Sequence, residues 1–187
     1  LKKLKKLCIS GNNMDKIPLS VFALTDLEIF DAKNNKIVSI PQQIQYMHNL
    51  QILNLSGNQI EIIPKEIYNL NNLLRLDLSN NNIRVIPREI YYCDHLRELN
   101  LDENEIEILP PALFKLTFLE ILHVQDNKIS SIPGDIRFLQ NLIDINISNN
   151  NLSYVPKELY YLSSIAQIYV HHNPLNCAVL DTNEYKN

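Results

Sequence analysis

Apolar residues recur along this chain in a fixed pattern, which is clearest in the segment 73–87, LLRLDLSNNNIRVIP. Here Leu76 and Leu78 alternate with Asp77, as in a short strand with one buried face. The first apolar position of the pattern returns every 23 residues, at Leu4, Leu27, Leu50, Leu73, Leu96, Leu119, Leu142 and Ile165. A constant period of about 20 to 30 residues predicts a solenoid in which each repeat forms one coil.

A single short strand cannot bury its apolar side, so we expect the coils to stack and to pair their strands into one parallel sheet. Adjacent strands lie about 4.8 Å apart, which makes the stack on the order of 40 Å long. A proline follows the second apolar group, and its fixed φ suits the first turn of a short helical segment. These prolines are Pro18, Pro41, Pro64, Pro87, Pro110, Pro133 and Pro156. An apolar pair spaced by three, such as Ile67 and Leu70, follows each proline and predicts the buried face of that turn.

An asparagine follows each predicted strand at the same offset. The chain must bend inward there, which leaves backbone groups without partners in the interior. An amide side chain offers both donors and an acceptor, so it can satisfy these groups within and between coils, whereas aspartate would bring a buried charge. We therefore interpret as a structural ladder the residues Asn12, Asn35, Asn58, Asn81, Asn104, Asn127, Asn150 and Asn173.

The pattern Leu-x-x-Leu-x-Leu-x-x-Asn-x-Ile, repeated in register over nearly the whole chain, resembles the leucine-rich repeat. The resemblance implies an α/β solenoid, a horseshoe arc with a parallel β-sheet on its concave face and short helical or 3-10 turns on its convex face. We predict a repeat domain over 1–175 and a C-terminal cap or tail over 176–187. The 23-residue spacing with Ile-Pro resembles the intracellular class found in Ras-suppressor, Scribble and erbin-type scaffolds. Some bacterial and plant proteins share this repeat.

The two ends of the chain predict different surroundings. The opening LKKLKKL belongs to the first coil, whose strand presents a bare edge, so we expect further coils or a cap upstream. After Pro174 the Ile-Pro corner does not return, and the apolar group Ala178–Leu180 could fold over the last coil. We expect a monomer, with the first strand as the site of any edge contact.

Composition and motif content exclude several classes of function. The net charge is −4 and no basic stripe is present, which argues against nucleic-acid binding. No apolar run reaches 18 residues, so we expect no membrane span. No Gly-rich phosphate loop follows a strand, and the acidic residues follow the repeat without forming a buried pair that would tune one as an acid. His123 and His171 lie roughly 10 Å apart by strand spacing, and the side chains of His171 and His172 should diverge. We predict no enzyme activity, no cofactor and no metal.

The cysteines indicate a reducing compartment. Cys8 and Cys93 lie roughly 15 Å apart along the stack, beyond the reach of a disulfide, and Cys177 has no evident partner. The glycosylation sequons at Asn54 and Asn146 fall on strands, where a glycan would cover the open face. We therefore expect a cytoplasmic protein.

Strand side chains that point away from the core line the concave side and form the candidate binding surface. Its centre is acidic, with Asp77, Glu98, Asp102, Glu103, Asp126 and Asp144, and its last coil carries Tyr169, His171 and His172. We predict that the carboxylates receive Lys or Arg side chains of a protein partner, while Tyr169 and His123 serve as aromatic anchors. The candidate residues are Arg75, Asp77, Glu98, Asn100, Asp102, His123, Gln125, Asp144, Asn146, Tyr169 and His171.

Aromatic residues on the convex side allow two interpretations, packing between adjacent turns or a second binding surface. They are Phe22, Tyr68, Tyr91, Phe114 and Tyr160, followed one position later by Tyr46, Tyr92, Phe138 and Tyr161.

The resemblance implies a non-enzymatic interaction module within a larger scaffold or signalling protein. Two alternatives stay open at the level of sequence. One is the substrate-recognition region of a larger enzyme complex, such as a ubiquitin ligase or phosphatase. The other is a fragment of an extracellular adhesion protein or immune receptor. The identity of the partner does not follow from repeat physics, which leaves the outward residues free.

Overall fold

The fold was analysed in a computed structural model that describes residues 3–176, with only the backbone of Tyr68. Eight three-residue strands in this range pair in parallel, in sequence order, into one open sheet. They are β1 (Lys6–Cys8), β2 (Ile29–Asp31), β3 (Ile52–Asn54), β4 (Arg75–Asp77), β5 (Glu98–Asn100), β6 (Ile121–His123), β7 (Asp144–Asn146) and β8 (Gln167–Tyr169). Each residue pairs with its equivalent one repeat later, as Leu76 does with Leu99. The predicted parallel-sheet solenoid is therefore confirmed.

Strand pairing extends beyond the formal strand ends. In the fourth coil β4 begins at Arg75, one residue before the alternating segment that predicted it, and Leu76 at its centre is fully buried. Leu78 follows the strand, yet it is also buried, and its N–H donates to the Asn100 carbonyl at 2.9 Å. The alternation of Leu76 and Leu78 therefore reports the inward face of the coil as predicted, over a segment slightly longer than the strand.

On the convex side, a five-residue 3-10 helix follows each of the seven prolines from Pro18 to Pro156, as predicted. These helices are Leu19–Ala23, Gln42–Tyr46, Lys65–Asn69, Arg88–Tyr92, Pro111–Lys115, Gly134–Phe138 and Lys157–Tyr161. Pro87 caps its helix with φ −64° and ψ 140°, and its carbonyl accepts the N–H of Ile90 at 3.1 Å. Ile90 and Cys93 then turn into the core, where both are buried. No helix in residues 3–176 has the length and apolar character that crossing a membrane requires.

The ladder asparagines occupy the bend behind the sheet and join successive coils. Asn81 Nδ2 donates to the carbonyls of Leu78 at 3.0 Å and of Leu55, one coil earlier, at 3.1 Å. Asn81 Oδ1 accepts the N–H of Ile60 at 2.9 Å. The same pattern recurs at the inner coils, where the ladder residues are buried. Asn12, in the first described coil, is exposed and its amide donates only within its own coil, to Ile9 and Ser10.

The residue before each ladder asparagine adopts the left-handed conformation, with φ between 51° and 69°. This column contains Gly11, Asn34, Gly57, Asn80, Glu103, Asp126, Asn149 and His172. Glycine and asparagine tolerate this conformation, but a longer side chain is strained there. Glu103, which follows β5, therefore has an unfavourable backbone conformation.

The predicted C-terminal cap lies outside the described residues, apart from Asn176, whose N–H donates to the Ser153 carbonyl at 2.9 Å.

Candidate functional site: the concave face

The sheet presents its outward side chains in columns, because each strand from β2 to β7 has a buried central residue and two outward-facing neighbours. In β4 the buried residue is Leu76, while Arg75 and Asp77 face outward. Equivalent residues of adjacent coils lie about 4.8 Å apart, so a side chain readily contacts its neighbour one repeat away. This spacing, rather than proximity in sequence, determines which charges meet.

Arg75 compensates part of the predicted acidic centre. Its Nη2 donates to Glu98 Oε1 at 2.7 Å, and its Nε contacts Glu98 Oε2, so the pair is bidentate. This hydrogen bond to Glu98 raises the pKa of Arg75. Beside the pair lies a shallow concavity of about 290 Å³, which Asn100 and His123 also line. Glu98 is therefore already neutralised by its neighbour, although the sequence predicted it as a partner-binding carboxylate.

His123 lies between two carboxylates from the flanking coils. Its Nδ1 is 4.0 Å from Asp102 Oδ2, and its Nε2 is 3.4 Å from Asp144 Oδ2. The side chain of His123 is 28% exposed, and those of Asp102 and Asp144 are 20% and 21% exposed. His123 Nε2 and Asp144 Oδ1 are buried without a hydrogen-bond partner among the described residues. We name Asp102, His123 and Asp144 the acidic triad.

The acidity of Asp102 departs from that of an exposed carboxylate. Burial raises the pKa of Asp102 to about 6, although the Gln125 N–H, which donates to Asp102 Oδ1 at 2.6 Å, and the nearby His123 both act in the opposite direction. The sequence predicted no carboxyl tuned in this way. Burial by neighbouring coils causes the shift, and the linear spacing of acidic residues does not reveal it.

The side-chain amides of Gln125 and Asn146 hydrogen-bond to each other, and the amide of Gln125 also donates to Asp126. Gln125 Nε2 donates to Asp126 Oδ2 at 2.6 Å, and Asn146 Nδ2 donates to Gln125 Oε1 at 2.6 Å. Asn146 Oδ1 also accepts the N–H of Ser148 at 3.1 Å. These candidate residues border the acidic triad and hold the surface beside it in place.

The last described coil presents the aromatic end of the face. Tyr169 is 41% exposed, and its hydroxyl donates to Gln167 Oε1 at 3.0 Å. The rings of His171 and His172 meet edge to face, with centroids 5.0 Å apart. Our expectation that these two side chains diverge is wrong, because the φ of 55° at His172 turns the chain out of the extended conformation. Even so, residues 3–176 contain no group of three or more side chains placed to hold a metal ion.

The convex aromatic residues divide between core and surface. Phe22 and Phe114 are buried, whereas Tyr46 and Phe138 are 52% and 48% exposed. The position directly after the buried Ile or Leu of the helix thus belongs to the core in some coils, and the following position is turned outward. The side chain of Tyr68 lies outside the described residues.

Fold and surface together define a solenoid with an open, polar concave sheet. A family model for the leucine rich repeat matches residues 2–60, 62–106 and 117–175. This chain belongs to the leucine-rich repeat family, whose fold is typically a non-enzymatic protein-interaction module. A comparison with curated protein sequences found no significant match.

Solved structures share the fold over most of this chain. A leucine-rich repeat protein of Leptospira interrogans is 33% identical with a TM-score of 0.91, covering 94% of this chain and 45% of that one. The ectodomain of the Arabidopsis thaliana membrane receptor kinase GASSHO1/SCHENGEN3, solved with CASPARIAN STRIP INTEGRITY FACTOR 2, is 30% identical with a TM-score of 0.82, covering 91% and 21%. An internalin of Listeria monocytogenes, 22% identical with a TM-score of 0.81 over 100% of this chain and 54% of that one, shows the fold alone. The chain thus spans less than half the length of the first two structures.

Proposed function

We propose that this chain binds a protein partner through its concave face and serves as the recognition module of a larger scaffold or signalling protein. The acidic triad carries this proposal. Two carboxylates and an imidazole are held together on three neighbouring coils, and all three side chains are partly exposed. The side chains of Asp102 and Asp144 are 20% and 21% exposed, so a partner can reach both carboxylates from the concave side.

The chemistry of the triad favours a cationic side chain as its ligand. The exposed parts of the Asp102 and Asp144 carboxylates can accept further hydrogen bonds, and lysine or arginine would meet them with a charge-assisted hydrogen bond. Glu98 contributes less than its charge suggests because Arg75 already occupies it. Tyr169, two strands beyond His123, offers an aromatic contact roughly 10 Å away on the same face. A segment of the partner bearing a basic residue near an apolar one would fit both positions.

Charge neutralisation on the two faces of the solenoid tests this proposal. The double variant Asp102→Asn and Asp144→Asn removes two concave charges while keeping an oxygen that can accept the Gln125 N–H. The matched control, Glu66→Gln and Glu89→Gln, removes two charges from the first turns of convex helices. In affinity capture with quantification of bound proteins, we expect the concave variant to lose a partner that the control retains. Equal retention by both variants would overturn the concave assignment.

Free cysteines support a reducing compartment and, with it, the cytoplasmic localisation that we propose. Cys8 and Cys93 are both unpaired, and the thiol of Cys93 donates to the buried Ile67 carbonyl at 3.3 Å. Burial raises the pKa of Cys93 to about 12, which keeps this thiol protonated and unreactive. The resemblance to Ras-suppressor, Scribble and erbin-type scaffolds points the same way. Fractionation of cells that express the full parent protein tests the localisation, and recovery in the secreted fraction would contradict it.

A receptor ectodomain is the second candidate, because one similar structure is the ectodomain of a plant receptor kinase. Here the sequon at Asn54 distinguishes the two candidates. Asn54 Oδ1 accepts both the N–H and the hydroxyl of Ser56, at 3.0 and 2.8 Å, on the concave face. An extracellular parent would carry a glycan there. A mass shift on glycosidase treatment that disappears in Asn54→Gln would favour the receptor, whereas an unmodified Asn54 favours the scaffold.

A further inference from the structure

One side of the solenoid, between the sheet and the 3-10 helices, exposes aliphatic residues that the core does not use. Ile62, Val85 and Ile108 occupy the same position in three consecutive coils and are 72%, 70% and 71% exposed. Ile62 and Val85 also form a parallel backbone bridge, which fixes their side chains beside each other. Neighbouring residues such as Ile63 and Ile86 point inward and are buried. We call Ile62, Val85 and Ile108 the lateral stripe.

A shallow groove of about 410 Å³ crosses the lateral stripe between the fourth and fifth coils. Its apolar lining is Val85, Ile86, Ile108 and Pro110. Arg84 and Glu107 also line the groove and both are exposed, and Arg84 Nε lies 3.3 Å from Glu105 Oε2 of the same chain. The same column in the third coil carries Glu61, so the charge beside the stripe alternates from coil to coil, negative, positive and negative.

We propose that the lateral stripe binds a second copy of the chain about a two-fold axis that lies along the groove between the fourth and fifth coils. Such an axis reverses the order of the coils in the second copy. Each coil therefore faces the coil of the second copy that lies equally far from the groove on its other side. The fourth coil then faces the fifth coil of the second copy. Arg84 faces Glu107 of the second copy, Val85 faces its Ile108, and both contacts occur twice, as an isologous interface requires.

Charge complementarity selects this register over its neighbours. An axis through the fourth coil would place Arg84 against itself and Glu61 against Glu107 of the second copy, and like charges in contact oppose association. An axis between the third and fourth coils would pair Glu61 with Arg84 of the second copy. It would also place the apolar Val38 against the charged Glu107 of the second copy. The proposed axis avoids both conflicts.

In the same register the outer coils place no like charges in contact. The seventh coil of the second copy faces the second coil, so Tyr154, which is 43% exposed, meets Ser39, and Val38, which is 52% exposed, meets Ser153. Glu61 meets the uncharged Ser130 of the second copy. Only the fourth and fifth coils therefore bring apolar residues of the two copies together, and Ile62 faces Ser131 of the second copy.

The size of the stripe sets the strength of the association. Three residues at the strand spacing span only about 10 Å, whereas each partner in a standard stable interface contributes about 800 Å². The dimer is therefore weak and forms with increasing protein concentration. It leaves the concave face open, so its formation and the binding of a partner to the acidic triad can be tested separately.

Sedimentation velocity across a wide concentration range tests the dimer through a charge-swap cycle. We expect Arg84→Glu and Glu107→Arg, each alone, to raise the dimer dissociation constant at least tenfold by placing like charges in contact. The double variant should restore association to within about threefold of the original chain, since it re-forms the two pairs with reversed sign.

A second pair of variants tests the apolar contact. Val85→Ser should weaken the dimer at least tenfold, whereas Leu19→Ser, which alters an aliphatic residue that is 63% exposed outside the stripe, should not. All these side chains are exposed, so unchanged melting temperatures confirm that the variants fold. A chain that sediments as a monomer at every concentration, or a double variant that stays as weak as the single ones, would overturn the proposal.

Discussion

Removing one buried amide from the ladder tests how the coils are held together, and Asn104→Ala is the sharpest such change. Asn104 is 8% exposed and sits in the middle of the stack. Its Nδ2 donates to the carbonyls of Leu78 at 3.0 Å and Leu101 at 3.1 Å, and its Oδ1 accepts the N–H of Ile83 at 3.0 Å. The substitution therefore removes contacts both within one coil and to its neighbour.

The size of the destabilisation depends on which backbone groups lose their only hydrogen-bond partner. The Leu78 carbonyl keeps the amide of Asn81 at 3.0 Å, and the Leu101 carbonyl keeps the amide of Asn127 at 2.9 Å, because the ladder serves each of them twice. The N–H of Ile83 loses the side-chain oxygen that accepts it. An orphaned buried donor destabilises by about 1–3 kcal/mol, and each lost hydrogen bond to a group that keeps another partner by about 1 kcal/mol. We expect Asn104→Ala to lower the free energy of unfolding by roughly 3–5 kcal/mol.

Asn12→Ala is the matched control, since Asn12 holds the same position in the pattern but is exposed and its side-chain amide donates only within its own coil. We expect that change to lower the free energy by about 1 kcal/mol or less. Urea unfolding, followed by circular dichroism, measures both, and amide exchange at Ile83 should accelerate only in Asn104→Ala. Equal destabilisation by the two substitutions would refute the claim that the ladder satisfies buried backbone groups between coils.

Three further predictions concern the concave side. Glu103→Gly should raise the free energy of unfolding by about 0.5–1 kcal/mol, because glycine relieves the left-handed strain at φ 53°. Gly57→Ala should lower the free energy of unfolding instead, since the added Cβ would lie 2.3 Å from Asn34 Oδ1. A loss of stability in both variants would be inconsistent with the strain. Because burial holds the pKa of Asp102 near 6 in the folded chain, well above its ordinary 3.8, the folded state retains this proton longer than the unfolded state. The stability that protonation of Asp102 contributes is complete below about pH 4 and is lost as the pH rises through 6. Urea titrations should therefore show the free energy of unfolding of the original chain falling by up to roughly 3 kcal/mol relative to Asp102→Asn between pH 4 and 7. Parallel curves of stability against pH would contradict the raised pKa. Tyr169→Ala should weaken binding of a captured partner at least tenfold with little change in melting temperature, because Tyr169 is 41% exposed, and unchanged affinity would remove it from the binding surface.

The repeat period was enough to predict the solenoid, because one spacing fixes both the strand pairing and the inward columns. Leu76 pairs with Leu99 as the 23-residue period requires, and a 3-10 helix follows each of the seven recurrent prolines from Pro18 to Pro156. The concave surface was predicted as a set of outward positions, but their mutual pairing was not. Reading the sequence across coils would have placed Arg75 beside Glu98, and it would also have aligned the aliphatic residues of the lateral stripe.

Other features of the site could not be obtained in that way. The raised pKa of Asp102 depends on how far neighbouring coils shield it from water. The position of His123 between two carboxylates depends on its side-chain rotamer, which strand periodicity does not determine. The edge-to-face contact of His171 and His172 depends on a positive φ that only local backbone geometry reveals. Sequence patterns thus establish which residues face outward, whereas coordinates are needed to show which of them remain available to a partner.

Site-specific photo-crosslinking tests most directly whether the concave sheet is the surface that grips another protein. A photoreactive residue would replace Asn100, which is half-buried at the centre of the sheet, and in a separate chain Phe138, which is 48% exposed on the convex side. We predict that Asn100 crosslinks to a protein partner, that excess unlabelled chain competes the product away, and that the position of Phe138 yields none. Crosslinking of the same protein from the convex position, with none from the sheet, would contradict the account.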